Sequence, residues 1–310
     1  MRIANWLRLG GSACVAALIL WRVPAGALWS AFENLRGVWL WAALAAALGM
    51  LAVRYFQWQC LFDAAKLPVS RGDSAGSFLA GFTLSVVTPG RLGELGRCLF
   101  VAEPHRASVL LVNVLERGLD AWALFTYAVV SVGLMSLRPM GVFAVAVWLA
   151  VLPVALGLPS LVASVGGLRW WGETFRSQLN AAGLALLTIR TPGFAALSLA
   201  STSLDLLTFF FLLRAFHHVD FVVALAVFPW IVIAGGLPVS LGGIGPREGA
   251  AALLLAHYAV PTAAAMDAAL FLFAFSALLP AVMGGVWILA RHLRSAEPRS
   301  THLEAVVPGA

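Results

Sequence analysis

Two glycine-rich stretches decide how this chain is read: TPGRLGELGR at residues 88–97 and LPVSLGGIGPREG at residues 237–249. Each closes an apolar run, from Ser74 to Gly90 in the first case and from Phe221 to Pro246 in the second. Proline lacks the amide that a helix needs and glycine weakens one, so neither run is expected to continue as an unbroken helix. The second is expected to break at Pro229, Gly235, Gly236, Pro238, Gly242, Gly243 and Gly245. An apolar segment that reverses at such a cluster is read as a re-entrant hairpin, entering and leaving a membrane on one side.

Composition supplies the membrane. The 310 residues are 61% hydrophobic and 11% charged, with mean hydropathy +0.92, whereas a soluble domain carries about 25% charged residues. Long runs rich in Ala, Leu and Val replace the weak alternation of an outer-membrane barrel. The expected fold is an all-α polytopic membrane protein with about six full transmembrane helices plus the two re-entrant hairpins. Spans are placed at residues 9–21, 38–53, 107–136, 140–159, 192–215 and 265–290, close to the ~20 residues that cross ~30 Å of hydrocarbon. Ala25-Gly26-Ala27 after Pro24 has the small residues of a signal-peptidase site, and the first helix is read as uncleaved.

The arginines choose between hairpins and crossings. With two hairpins, most of the 20 basic residues, among them Arg54, Arg91, Arg97, Arg106, Arg169 and Arg176, fall on the cytoplasmic side. A full first crossing would export five of these six, all but Arg54, against the positive-inside rule. Both termini are then cytoplasmic, in the inner membrane of a bacterium. The hairpins enter from opposite faces, and each tip carries an Arg and a Glu: Arg91 with Glu94, and Arg247 with Glu248. Paired interrupted segments at corresponding places point to an inverted-topology repeat. One integral-membrane domain is expected over residues 1–294, with repeat halves near 38–159 and 192–290. Residues 295–310 are expected to form a disordered cytoplasmic tail.

Charges stand where lipid is expected. Asn113, Glu116, Arg117 and Asp120 recur at helical spacing on one face, and Asp205 lies within an apolar helix. Each intramembrane charge costs at least ~2.5 kcal/mol at a helix centre, so it should face a partner or a watery cavity. An Arg117–Asp120 pair that only fixes packing is the plainer reading. The number of charges favours a site built from Arg91, Glu94, Arg97, Glu116, Arg117, Asp120, Asp205, Arg247 and Glu248. Pro89, Gly90 and Gly93 would shape one turn, and Pro238, Gly242, Gly243 and Gly245 the other. Free amides at a hairpin tip, beside guanidinium groups, make a phosphate cradle.

Other chemistries are excluded or weak. Lys66, the only lysine, follows Ala65, so no Walker P-loop exists. GGIGPREG has the wrong spacing for a dinucleotide loop. No HExxH pair occurs, and His217, His218 and Asp220 read as a solvated loop. Cys14, Cys60 and Cys98 form no disulfide framework or zinc site. The pI near 10.0 reflects arginines facing the cytoplasm and anionic lipid rather than nucleic acid. No cofactor and no metal is expected. Trp170, Trp171, Arg169 and Arg176 mark residues 166–180 as an interfacial segment.

TPGRLGELGR, ERGLD at 116–120 and LPVSLGGIGPREG, in that order, resemble the motifs of the flippase-like family, also called the lysylphosphatidylglycerol synthase transmembrane region. The resemblance runs from about residue 10 to 292 and rests on Pro89, Gly90, Arg91, Gly93, Glu94 and Arg97. It continues through Glu116, Arg117 and Asp120 to Pro238, Gly242, Gly243, Gly245, Arg247 and Glu248. It implies a lipid-handling membrane domain: multiresistance members are thought to move an aminoacylated phosphatidylglycerol to the outer leaflet, and stand-alone relatives occur beside polyprenyl-linked glycosylation or hopanoid pathways. No aminoacyl transferase domain follows the last helix here, so any lipid-modifying partner enzyme is expected on a separate chain.

The expected function is therefore a lipid flippase or transporter. Its partners are membrane lipids with anionic or zwitterionic headgroups, including aminoacyl phospholipids and polyprenyl-phosphate-linked lipids. Two rivals remain. One is a membrane glycosyl or acyl transferase with Glu94, Asp120 or Glu248 as base; the other is an accessory protein that recruits a lipid-modifying enzyme.

Overall fold

A computed structural model describes residues 37–89, 91–102, 105–135, 145, 148, 191–240 and 242–296. All regular structure among them is helical. The expected helix at 9–21, the span at 140–159 apart from Val145 and Trp148, the interfacial segment at 166–180, Gly90 and the tail beyond Ala296 lie outside the described residues.

Helix α1, Gly37–Ala64, opens on an Ala- and Leu-rich stretch with high helix propensity. Its small buried residues Ala43, Ala46, Ala47 and Met50 fall three to four apart, which gives one continuous face for a neighbour. That neighbour is α4, Thr191–Phe216, packed along α1's length. Hydroxyls on α4 return to its own backbone, Thr202 and Thr208 each donating at 2.8 Å to the carbonyl four residues back, so polar side chains leave no unmet donor in an apolar setting. Because α1 runs well past residue 53, Arg54 lies inside a helix and not in the cytoplasmic loop expected from the sequence.

Helix α2, Arg71–Val87, is capped by Ser70, whose side chain accepts from the Asp73 amide at 3.1 Å. It stops two residues before Pro89, where the approaching ring disfavours helical backbone. A 3₁₀ segment, Leu92–Phe100, folds back along it, and α3 follows over Arg106–Met135. In the second half, α5, Phe221–Gly236, passes through Pro229 without breaking. This corrects the expected break: one missing amide is tolerated where the ring is fully packed, and Pro229 is buried. Helix α6, Pro246–Ala256, starts on a proline at its first turn, where the missing N–H is no loss. Helix α7, Thr262–Phe273, continues through a π-turn at Ala274–Leu278 into α8, Leu279–Ala296. Pro280 has no N–H for the Ser276 carbonyl, which is why the register shifts there. The last helix reaches Ala296, two residues past the boundary expected at 294.

Three described helical runs, Gly37–Ala64, Pro192–Phe216 and Thr262–Arg291, are long and apolar enough to cross a membrane. Helix α3 is as long but carries Glu116, Arg117 and Asp120 near its middle. At 1.5 Å per residue, α2 and α5 span only ~26 and ~24 Å, less than the ~30 Å hydrocarbon core. Two apolar cores form. One joins the C-terminal half of α1 to α2, the start of α3 and the π-turn, with Trp58, Phe78, Phe82 and Phe273 among its buried residues. The other joins α4, α5, α6 and α7 around Phe209, Phe228 and Leu272.

Candidate functional site

The first turn begins with a residue in an uncommon conformation. Arg91 has φ +59°, in the left-handed region, which costs a non-glycine residue about 1 kcal/mol. That reversal lays the 3₁₀ segment on α2, with Pro89 just before the turn. The Gly93 amide donates to Thr88 Oγ1 at 2.6 Å, and a Cβ at Gly93 would strike the Leu84 backbone. Only glycine permits this approach.

The fold-back carries Glu94 among three arginines: Arg117 at 2.5 Å, Arg91 at 3.6 Å and Arg97 at 3.6 Å. Arg97 also meets Glu116 at 2.6 Å, and both side chains are fully buried. Arg117 bridges onward to Glu116 at 3.2 Å and to Asp120 at 3.0 Å. Asp120 in turn meets Arg54 at 3.8 Å and accepts from Ser198 Oγ at 3.0 Å. Gln57 donates to that hydroxyl at 2.8 Å. Asn113 donates to the Glu94 carbonyl at 2.6 Å, tying α3 to the turn. The helical spacing of 113, 116, 117 and 120 thus does bring these side chains to one face. The Arg117–Asp120 pair exists, as one edge of a network.

Arg97 is the network's anchor. Its guanidinium lies 4.8 Å from the ring centres of Trp58 and Phe78 and 5.8 Å from that of Phe82. Gly81 on α2 leaves the room that the arginine stem fills. Aromatic faces and two carboxylates replace the water this charge has lost.

In front of the network lies a cavity of about 360 Å³, within the range of ligand sites. Arg54, Arg91, Glu94, Arg117, Asp120 and Asp205 line it, with Phe228 and Val232 from α5 on the apolar side. A second, much smaller pocket of about 10 Å³, termed the extension, adjoins it and is also lined by Arg91, Asp205 and Val232, together with Arg247 and Ser276.

The second turn leads into the helix that carries Arg247. Gly242, Gly243 and Gly245 take φ of +63°, +80° and +97°, and a Cβ at Gly243 would collide with the Gly235 backbone. Pro238 sits in the turn that leaves α5, and Gly242 reaches the first lobe, where an added Cβ would stand 3.2 Å from the Val86 carbonyl oxygen. Glu248 reaches back to accept from the Gly245 amide at 2.6 Å, stabilising the start of α6. Arg247 is 5% exposed and lies over Phe273 at 5.3 Å, beside the Cα of Gly235. Among the described residues no carboxylate comes within ion-pair distance of it, and its Nε has no hydrogen-bond partner.

Of the residues expected from the sequence, Arg91, Glu94, Arg117, Asp120 and Asp205 line the cavity, and Arg247 lines its extension. Arg97 and Glu116 stand behind it and fix the first turn; Glu248 caps α6. Sequence reading missed Arg54, because the span was ended one residue before it. It also missed Gln57, Ser198 and Ser276, whose hydroxyls and amide carry no local motif. Four guanidiniums and three carboxylates line the two adjoining pockets. The arrangement presents preset donors of the kind that suit an anion, and one guanidinium, Arg247, is in no ion pair among the described residues.

The sequence profile of the lysylphosphatidylglycerol synthase TM region matches residues 5–284, and the chain belongs to that family. This makes it a membrane domain, helical throughout the regular structure of its described residues, of a family linked to lipid handling. No curated protein and no solved structure matched the chain.

Proposed function

We propose that this member of the family is a flippase, moving a lipid with a phosphate-bearing headgroup across the bacterial inner membrane. The observation that carries the reading is Arg247, a buried guanidinium in no ion pair among the described residues, which shares a small pocket with Arg91 and Asp205 beside the cavity lined by Arg54, Arg91 and Arg117. A buried charge left without a partner is strongly destabilising unless something supplies the opposite charge. A headgroup phosphate supplies it, while the acyl or prenyl chains stay among the lipids. Sheltering the headgroup offsets the desolvation that makes spontaneous crossing slow.

The same reading gives the topology. Helices α2 and α5, each too short to cross, are the first arms of two re-entrant hairpins entering from opposite faces. Six further helices cross, both termini are cytoplasmic, and the halves form an inverted repeat that alternates access to the cavity. The chain acts as a transporter and not as an enzyme, and a lipid-modifying enzyme on another chain provides its substrate. The test is transbilayer movement of headgroup-labelled anionic lipid in proteoliposomes. Native protein should move it and Arg247→Ala should not; movement by a folded Arg247→Ala protein at the native rate overturns the cradle.

A further inference from the structure

The cavity's charge balance turns on one residue. Asp205, the one carboxylate of α4, comes from the middle of that helix and lines both the main cavity and the extension. Its Oδ1 accepts from Ser276 Oγ at 2.6 Å. Ser276 is presented by the π-turn between α7 and α8, the same turn that follows Phe273 beneath Arg247. Such a turn widens the helix by one residue and aims a side chain that a regular helix would bury elsewhere. The carboxylate is thus held at the junction where Arg91 and Arg247 both face the cavity, within electrostatic reach of both. It forms an ion pair with neither, since all three side chains are described and none of their oxygens and nitrogens approaches to 4 Å.

The remaining charges are committed. Glu94, Glu116 and Asp120 are each bound to two or more arginines. Glu248 is also within electrostatic reach of Arg247, but it is turned onto the Gly245 amide and lines neither cavity. With Asp205 ionised, the four guanidiniums at the cavity exceed its three carboxylates by one; with Asp205 neutral they would exceed them by two.

We propose that Asp205 is the charge selector of the cavity, setting it for a headgroup with one negative charge, a phosphodiester, over a doubly charged phosphomonoester. The proposal rests on the lipid-binding reading above and deepens it. Asp205 subtracts one charge from the cradle without occupying the arginines' donors, so a monoanion finds a balanced site with free N–H groups. A dianion meets Asp205 as a repelling neighbour, in a low-dielectric setting where such repulsion is strong.

The test is calorimetric titration of the detergent-purified full chain at pH 8, where a phosphomonoester is doubly charged because its second pKa is about 6. The ligands are dihexanoyl phosphatidylglycerol, dihexanoyl phosphatidic acid and inorganic phosphate. Native protein should bind the phosphatidylglycerol more tightly than the phosphatidic acid. Asp205→Asn should shift the ratio of the two dissociation constants roughly tenfold towards phosphatidic acid. Ser276→Ala, which removes the hydrogen bond but keeps the charge, should leave the ratio within about twofold of native. Asp205→Ser, which also removes the charge, carries the test if Asp205→Asn does not fold.

A purely structural Asp205 would weaken both lipids alike. An unchanged ratio in folded Asp205→Asn, with binding still lost in Arg247→Ala, overturns the selector and leaves the cradle standing. No binding of any ligand by native protein or by Asp205→Asn overturns both. Free phosphate binding native protein as tightly as either lipid overturns the lipid assignment, and with it a selector of lipid headgroups.

Discussion

Two arginines occupy similar positions and have different fates. Arg97 follows the first glycine turn and lies against Gly81 of the helix that leads into that turn; Arg247 follows the second and lies against Gly235 of its own leading helix. Both guanidiniums rest on aromatic rings. Arg97, however, meets Glu94 and Glu116 and is sealed from the cavity, whereas Arg247 meets no carboxylate among the described residues and faces the cavity's extension. One local design thus serves two ends, and what separates them is whether a carboxylate is delivered. Helix α3 delivers Glu116 to the first turn; in the second, Glu248 is spent on capping α6. An arginine paired within the fold and an arginine left without an ion pair beside the cavity cannot be told apart by residue type, burial or glycine packing, only by the charges that reach them.

That contrast can be broken by substitution. Arg97→Ala should be the most damaging, because it leaves Glu116 buried with a single partner; a loss of about 3–5 kcal/mol is expected. Thermal unfolding followed by size-exclusion fluorescence should show little folded protein, and a native-like melting profile would remove Arg97 from its anchoring role. Gly243→Ala is expected to lose about 2 kcal/mol, since its φ is left-handed and its Cβ meets the Gly235 backbone. Gly249→Ala, with open space around its Cβ, serves as the control and should melt at or slightly above the native temperature. Glu248→Ala should lose about 1 kcal/mol, as a helix cap does, while keeping most transport. Transport abolished in a folded Glu248→Ala protein would return that residue to the binding site. Arg247→Ala should change stability least, by under about 1 kcal/mol, because no ion pair is broken.

The sequence exposes the first turn better than the second. Glycines at 90 and 93, and charges spaced three and four apart on α3, mark the Glu94–Arg117–Asp120 cluster without any structure. Glu248 stands three residues after Gly245, at the spacing of a capping glutamate, but glycine has no side chain to complete the usual box, and the shared motif with Arg247 hides the role. Pro229 was overread: proline breaks helices in water more readily than in packed surroundings, where neighbours hold the backbone. Arg54 was underread, since a charge at the edge of an apolar window ends the window although α1 continues for ten more residues. The pairs Gly81–Arg97, Gly235–Arg247 and Asp205–Ser276 join distant turns of chain, and no local pattern announces them.

The central claim is that the arginine without a carboxylate is there for the headgroup. The most direct measurement is transbilayer movement of a labelled anionic phospholipid in proteoliposomes holding equal amounts of folded native protein or Arg247→Ala. The account predicts movement by the native chain and at least a tenfold slower rate in the variant, with the two melting temperatures nearly equal. Equal rates from the two proteins would contradict it.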